Sequence, residues 1–186
     1  LILIASIVFF NNDTRYKDRI FYQTYNNIFG NNNLVMFTKD HDSHYRSAWK
    51  MFLDKPIYGQ GSKMFRDLCG QEKFNINERT CTTHPHNFAL QLLSDTGIIG
   101  FSIFYFFIYL VIFITFKEII NFKKNVIKNL NSRYQSLYIL GTSILINFFP
   151  LVPSGNFFNN WLSIVIFLPL GFWLYNLHLI RCRYKI

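Results

Sequence analysis

The sequence predicts an all-α integral membrane protein, with transmembrane helices flanking one large, mostly helical loop that faces away from the cytoplasm. Three observations carry this prediction. Of the 186 residues, 51% are hydrophobic and only 16% charged, against roughly 25% charged in an average soluble domain. Residues 97–116 and 161–180 contain no Asp, Glu, Lys or Arg, and about twenty apolar residues in a helix span a hydrocarbon core of about 30 Å. The net charge of +9 is unevenly placed. Residues 11–95 hold eleven Lys/Arg against nine Asp/Glu, whereas from Gly97 onward there are eight Lys/Arg and one acid, Glu118. A basic excess confined to the gaps between apolar runs marks those gaps as cytoplasmic. The same distribution argues against nucleic acid as a partner, and the composition excludes a disordered acidic tail or a fibre.

The segments then follow in order. Residues 1–10 are apolar, without a charged leader region or a small-residue cleavage site, unlike a signal peptide. They read as the end of a truncated transmembrane helix, which makes the chain a C-terminal fragment. Residues 11–96 form the outer loop and 97–116 a transmembrane helix. Residues 117–136 form a basic cytoplasmic linker, in which Ile119, Phe122, Val126, Ile127 and Leu130 recur at helical spacing between lysines. That pattern predicts an amphipathic helix on the inner leaflet. Residues 137–152 form a shorter transmembrane helix whose Gly141, Thr142, Ser143 and Asn147 suit helix–helix packing. Residues 153–160 are a short outer connection. Residues 161–180 form a last transmembrane helix with Pro169 placed to kink it, and 181–186 form a cytoplasmic tail.

Within the outer loop, Tyr45, Trp49, Phe52 and Leu53 predict a helix from about Ser43 to Leu53, ended by Asp54-Lys55-Pro56. Gly59 and Gly61 in Pro56-Ile57-Tyr58-Gly59-Gln60-Gly61 allow a turn at positive φ or a close approach. The turn is not a dinucleotide fingerprint, because Met64 stands where the third glycine belongs. A short helix is expected over residues 62–68, and another opens near His84-Pro85-His86-Asn87, with Pro85 in its first turn. Cys69 and Cys81 share the outer loop and Cys182 lies in the tail. An oxidising compartment permits a Cys69–Cys81 disulfide; two free thiols are the alternative.

His84 and His86 are two residues apart, which disfavours a two-histidine metal face that needs i, i+4 spacing. A loop histidine is commonly a surface or packing residue. At a helix N-terminus, however, the dipole disfavours imidazolium and keeps the ring neutral, as a general base requires. The same helix end attracts phosphate.

His86-Asn87, nine residues, Gly97, two residues and Gly100 resemble the pattern in the large periplasmic loop of O-antigen ligases. Arg46-Ser-Ala-Trp49 is similar to the arginine–tryptophan element upstream in these proteins. Pro56-Ile-Tyr-Gly59-Gln-Gly61 followed by Phe65 is similar to their glycine turn. Ser94-Asp95 stands where the family often has Glu. The resemblance covers about Arg46 to Phe116.

The resemblance implies a multi-pass enzyme of the bacterial inner membrane with a periplasmic catalytic loop. It would move a glycan from undecaprenyl pyrophosphate to a sugar hydroxyl, on lipid A-core for a ligase or on another glycan for a polymerase. In that reading His86 is the general base. Arg46, Arg19 and Arg66 are candidates for the pyrophosphate, since guanidinium binds phosphate oxygens in a bidentate fork. For Arg46 the alternative is an ion pair with Asp42, and for Arg19 an interfacial anchor. Asn87 caps or orients the helix, Gly97 and Gly100 permit close helix packing, and Trp49 is read as loop core, with a sugar platform as the alternative. No glycosidase-type carboxylate pair is evident, and no metal or cofactor is expected. A non-catalytic exporter or transporter component is the reading from another class. It is disfavoured because the spans carry no Asp, Glu, Lys or Arg, and His178 is their only group titrating near neutrality.

Overall fold

The computed structural model describes Tyr22, Tyr25, residues 38–124 and residues 131–183. The truncated helix expected at 1–10 and Arg19 lie outside the described residues. The helices bounded within residues 38–183 are, in order, α1 (Lys39–Asp54), α2 (Phe65–Leu68), α3 (Phe88–Lys124), α4 (Asn131–Asn147) and α5 (Asn160–Arg183). All regular elements among the described residues are helical.

Helix α1 starts because Thr38 caps it: the Thr38 Oγ1 accepts from the His41 N–H at 3.2 Å, and Asp40 and Asp42 sit in the positive first turn. It ends one residue before Pro56 can disfavour it, with the Lys55 N–H on the Met51 carbonyl. Its buried side carries Ser43, His44, Ser47, Ala48 and Met51, the spacing of one helix face. Ala48 and Met51 join Phe65, Cys69 and Phe74 in a small core against which Leu90 of α3 packs. Cys69 and Cys81 are disulfide-bonded. The loop therefore has a core of its own and also leans on α3.

Helices α3 and α5 contain stretches, Phe88–Ile120 and Asn160–Cys182, long and apolar enough to cross a membrane. Helix α3 is two helical segments joined at Gly97, whose φ of 65° is not helical; at 1.5 Å per residue residues 98–124 run about 40 Å, longer than a hydrocarbon core of about 30 Å. Between the long helices lies a second core built on Tyr134, Leu137, Ile144, Trp173 and Ile180. The Trp173 Nε1–H donates to Thr115 Oγ1 at 2.9 Å, and Gly141 lets α4 approach that same Thr115 side chain. At the far end Arg181 Nε lies 3.8 Å from Glu118 Oε1.

Several boundaries differ from the sequence expectation. Helix α3 is broken at Gly97, where the expected span begins, but it runs past the expected end at Phe116 to Lys124, so Ile119 and Phe122 belong to it and not to a separate amphipathic helix. Val126, Ile127 and Leu130 lie outside the described residues. Helix α4 is shifted upstream of the expected 137–152: it starts at Asn131 and stops at Asn147, because the residue before Pro150 is pushed out of the helical region, whereas Tyr134 and Leu137 bury its first turns. Helix α5 continues through Pro169.

Candidate functional site

Residues 82–87 form an irregular turn into α3, so Pro85 lies before the helix and not in its first turn. His86 takes φ 56°; it and Lys63 are the non-glycine residues at positive φ among those described. Such a conformation persists only where the surroundings hold it. The His86 carbonyl accepts from the Ser154 N–H at 2.8 Å. The buried Asn87 caps α3, its Oδ1 accepting from the Leu90 N–H at 3.0 Å. Asn87 Nδ2 donates to the carbonyls of Pro150 (2.6 Å) and Val152 (3.4 Å). One turn along, Gln91 Nε2 donates to Asn156 Oδ1 (2.9 Å) and its Oε1 accepts from the Phe157 N–H (2.8 Å). The connection between α4 and α5 thus clamps the turn that carries His86.

Four imidazoles gather on this turn. The ring of His86 lies 4.2 Å from that of His84, 5.4 Å from that of His44 and 5.5 Å from that of His41. His41 and His44 come from α1, one helical turn apart, so the packing of α1 on α3 assembles the group. Burial, followed by the neighbouring His84, His44 and His41, holds the His86 pKa down to about 4. Burial also lowers His84 and His44. The His86 ring is therefore neutral near neutral pH. Among the described residues no three His, Cys, Asp or Glu side chains are placed to hold one metal ion.

A cavity of about 1070 Å³ opens beside the turn. Its polar wall includes Asp42, Arg46, Lys50 and Asn87, and its apolar wall includes Leu93 and Phe101. Arg46 Nε pairs with Asp42 Oδ2 at 2.7 Å, the i, i+4 ion pair that was its alternative role, and still lines the cavity. His86 does not line it; its neighbour Asn87 does, so the base candidate stands behind the wall and does not face Arg46 across open space. Arg66 is exposed on α2 and is not in the wall either. Trp49 is 46% exposed and forms part of the wall, its ring 5.2 Å from that of Phe52 and tilted by 44°, which corrects its assignment to the loop core. It lies on the solvent-facing side of α1, opposite Ser47 and Met51.

Gly59 and Gly61 take positive φ, as the turn expected of them requires, whereas Gly97 has a different job from the helix packing expected of it. Gly97 (φ 65°, ψ −167°) breaks α3, and the turn from Pro56 to Gly61 docks into the break. The Gln60 and Gly61 amides donate to the Ser94 and Asp95 carbonyls (2.8 and 2.9 Å), and the Ile98 amide donates to the Pro56 carbonyl (2.8 Å). A Cβ at Gly59 would strike the Asp95 backbone, and one at Gly97 the Ile57 carbonyl. Gly100 faces Thr96, one turn back on its own helix. Asp95, fully buried, takes the Lys63 N–H on Oδ2 at 3.0 Å.

Sequence reasoning missed His41, His44, Lys50, Gln91 and the residue 150–157 connection. Asn87 and Gln91 were readable, since two amides at i, i+4 on an apolar helix must find polar partners. The histidine group was not, because it depends on how α1 packs. No curated protein and no solved structure matches this chain. The family model for O-antigen ligase matches residues 1–105, more than half of the chain, and takes in α1, the histidine group, the docked glycine turn and the start of α3. The chain belongs to the O-antigen ligase family of membrane glycan-transferring proteins.

Proposed function

We propose that this chain carries the catalytic loop of a lipid-linked glycan transferase that moves a glycan from undecaprenyl pyrophosphate onto a sugar hydroxyl of lipid A-core. The observation that carries the reading is a neutral imidazole, His86, fixed in a clamped turn next to a cavity with a basic rim and an apolar wall. A sugar hydroxyl is a poor nucleophile near neutral pH, and a neutral ring that takes its proton contributes typically 10²–10⁴-fold. The donor's diphosphate brings negative charge beside that ring, which raises its basicity in the complex.

Arg46 is engaged by Asp42 through Nε, which leaves its terminal nitrogens for diphosphate oxygens. Lys50 adds a second cation to the same rim. Leu93 and Phe101 offer apolar surface to the lipid chain. Holding the leaving group's charge is the larger part of such catalysis. The Cys69–Cys81 disulfide and the basic gaps after Gly97 support a periplasmic position for the loop and an inner-membrane location. Arg66, exposed and outside the wall, and Arg19, beyond the described residues, carry less of the argument.

The test is the lipopolysaccharide gel pattern of a strain lacking the protein. Unmodified lipid A-core with accumulated lipid-linked polymer supports the ligase. Core bearing a single repeat makes the protein a polymerase of the same architecture, and an unchanged pattern contradicts glycan transfer. Within the ligase reading, Arg46→Lys lowers turnover by removing the bidentate fork.

A further inference from the structure

We propose that His44 is a positioning residue for the transfer: its Nδ1 accepts a hydrogen bond from the His86 ring and holds the imidazolium that forms there. The proposal rests on the reading of His86 as general base.

His44 lies on the buried face of α1, and its Nε2 is 2.9 Å from the Arg79 carbonyl oxygen. A carbonyl only accepts, so Nε2 carries the hydrogen and Nδ1 carries the lone pair. That Nδ1 is buried and has no hydrogen-bond partner among the described residues. An acceptor left in this state needs a donor, and His86 is a ring that can supply one. Two imidazoles joined by an N–H···N bond of about 3 Å have their centroids about 5 Å apart. Those of His44 and His86 are 5.4 Å apart, with planes tilted by 36°, so a small ring rotation closes the bond. Catalytic hydrogen bonds commonly tighten in this way when substrate binds.

The other groups facing the pair are named by the same packing. From α1 come His41, with its Nδ1 2.8 Å from Thr38 Oγ1, and Asp40, bound at 3.1 Å by Arg79. From the turn comes His84, its Nδ1 2.8 Å from Thr83 Oγ1. His84 Nε2 is likewise buried without a hydrogen-bond partner among the described residues, but the Thr83 hydroxyl on its Nδ1 can donate or accept and fixes no tautomer, whereas the Arg79 carbonyl fixes the lone pair of His44 on Nδ1.

The acceptor O–H bond breaks and its proton goes to the free nitrogen of His86. The oxygen bonds to the anomeric carbon, and the bond from that carbon to the diphosphate breaks, its electron pair leaving with the diphosphate. The second His86 nitrogen, already N–H, donates to His44 Nδ1, which fixes the tautomer before reaction and stabilises the positive ring during it. The proton passes to water after product leaves.

His44→Gln separates this role from a structural one. The glutamine Nε2 preserves the donor to the Arg79 carbonyl and leaves no acceptor at the position of Nδ1. With the whole protein in membranes, His44→Gln is expected to lower kcat about tenfold, leave the KM for the lipid-linked donor unchanged, and move the acid limb of the kcat profile to lower pH, because imidazolium at His86 loses its partner. Wild-type kcat and an unmoved limb in a folded variant overturn the proposal. If that variant does not accumulate, ¹⁵N spectra of histidine-labelled wild-type protein decide: an Nε2–H tautomer at His44 is expected, and a protonated Nδ1 overturns the proposal. A dead His86→Ala with an unaffected His44→Gln removes only this inference; an active His86→Ala removes the parent reading as well.

Discussion

The carbonyl of His86 accepts a 2.8 Å hydrogen bond from the amide of Ser154, a residue 68 positions further along the chain. The contact makes the connection between α4 and α5 part of the site's frame, although that connection contributes no side chain to the proposed chemistry. Asn87 and Gln91 reinforce it from the same face of α3. The positive-φ turn is held from outside itself, which is how a strained conformation survives in a folded chain.

Asn87 combines two functions that substitutions can part. Asn87→Ala loses both the cap and the bonds to the Pro150 and Val152 carbonyls, at a cost of about 2 kcal/mol. Asn87→Ser keeps the cap and loses only the bridging donors, so it falls between wild type and alanine. Asn87→Asp keeps the cap but turns a carboxylate toward two carbonyls and is worse than serine. Thermal unfolding of the purified protein ranks the three.

The docked turn makes a sharp distinction among glycines. Gly59→Ala and Gly97→Ala place a methyl against backbone at positive φ and should each destabilise by more than about 3 kcal/mol, or prevent accumulation. Gly171 sits within α5 with nothing within 4 Å of an added Cβ. Gly171→Ala should be neutral or stabilise by up to about 1 kcal/mol. Equal tolerance at all three sites in an expression and melting assay would refute the docking geometry.

The histidine group ties stability to pH. His86 is held near pH 4 in the fold against 6.5 when unperturbed, and His84 and His44 are shifted in the same direction. Between those values the unfolded chain binds more protons than the folded one, so stability rises with pH across the window from about 4 to 6.5 and falls as the medium is acidified through it. The melting temperature should climb over that range, and His86→Gln should reduce the slope. A flat profile contradicts the buried, mutually repelling arrangement.

The cysteines report the side of the membrane. Cys69 and Cys81 are joined, whereas Cys182 is free and exposed. A membrane-impermeant maleimide should label Cys182 in inside-out vesicles and not in right-side-out ones, with Cys69 and Cys81 reacting only after reduction. Labelling of Cys182 from the outer face would invert the topology. Cys69→Ser with Cys81→Ser should cost about 3 kcal/mol by chain entropy.

Much of the fold was legible because its cause is local or one-dimensional. The apolar stretches at 97–116 and 161–180 announce helices, Pro56 ends α1, and the order of Arg46, Gly59, Gly61, His86 and Gly97 points to the family. What could not be read depends on which surfaces meet. The far end of α3 and the start of α4 moved because helices continue past the hydrophobic window where buried residues such as Glu118 and Tyr134 support them. Gly59 and Gly61 take the positive φ expected of their turn, whereas Gly97, which looked like a helix-packing position, is the helix break into which that turn docks. The turn–helix hydrogen bonds that reveal this run between residues about forty apart in the chain. His41 and His44 were invisible as site residues because only the packing of α1 on the start of α3 carries them to His86.

The central claim is that the neutral His86 ring takes the acceptor's proton. The most direct measurement is glycan transfer by His86→Ala in membranes containing the whole protein, at wild-type expression levels. The account predicts loss of about 10²-fold or more in turnover, with a melting temperature near that of wild type at neutral pH. Transfer at the wild-type rate by that variant would contradict it.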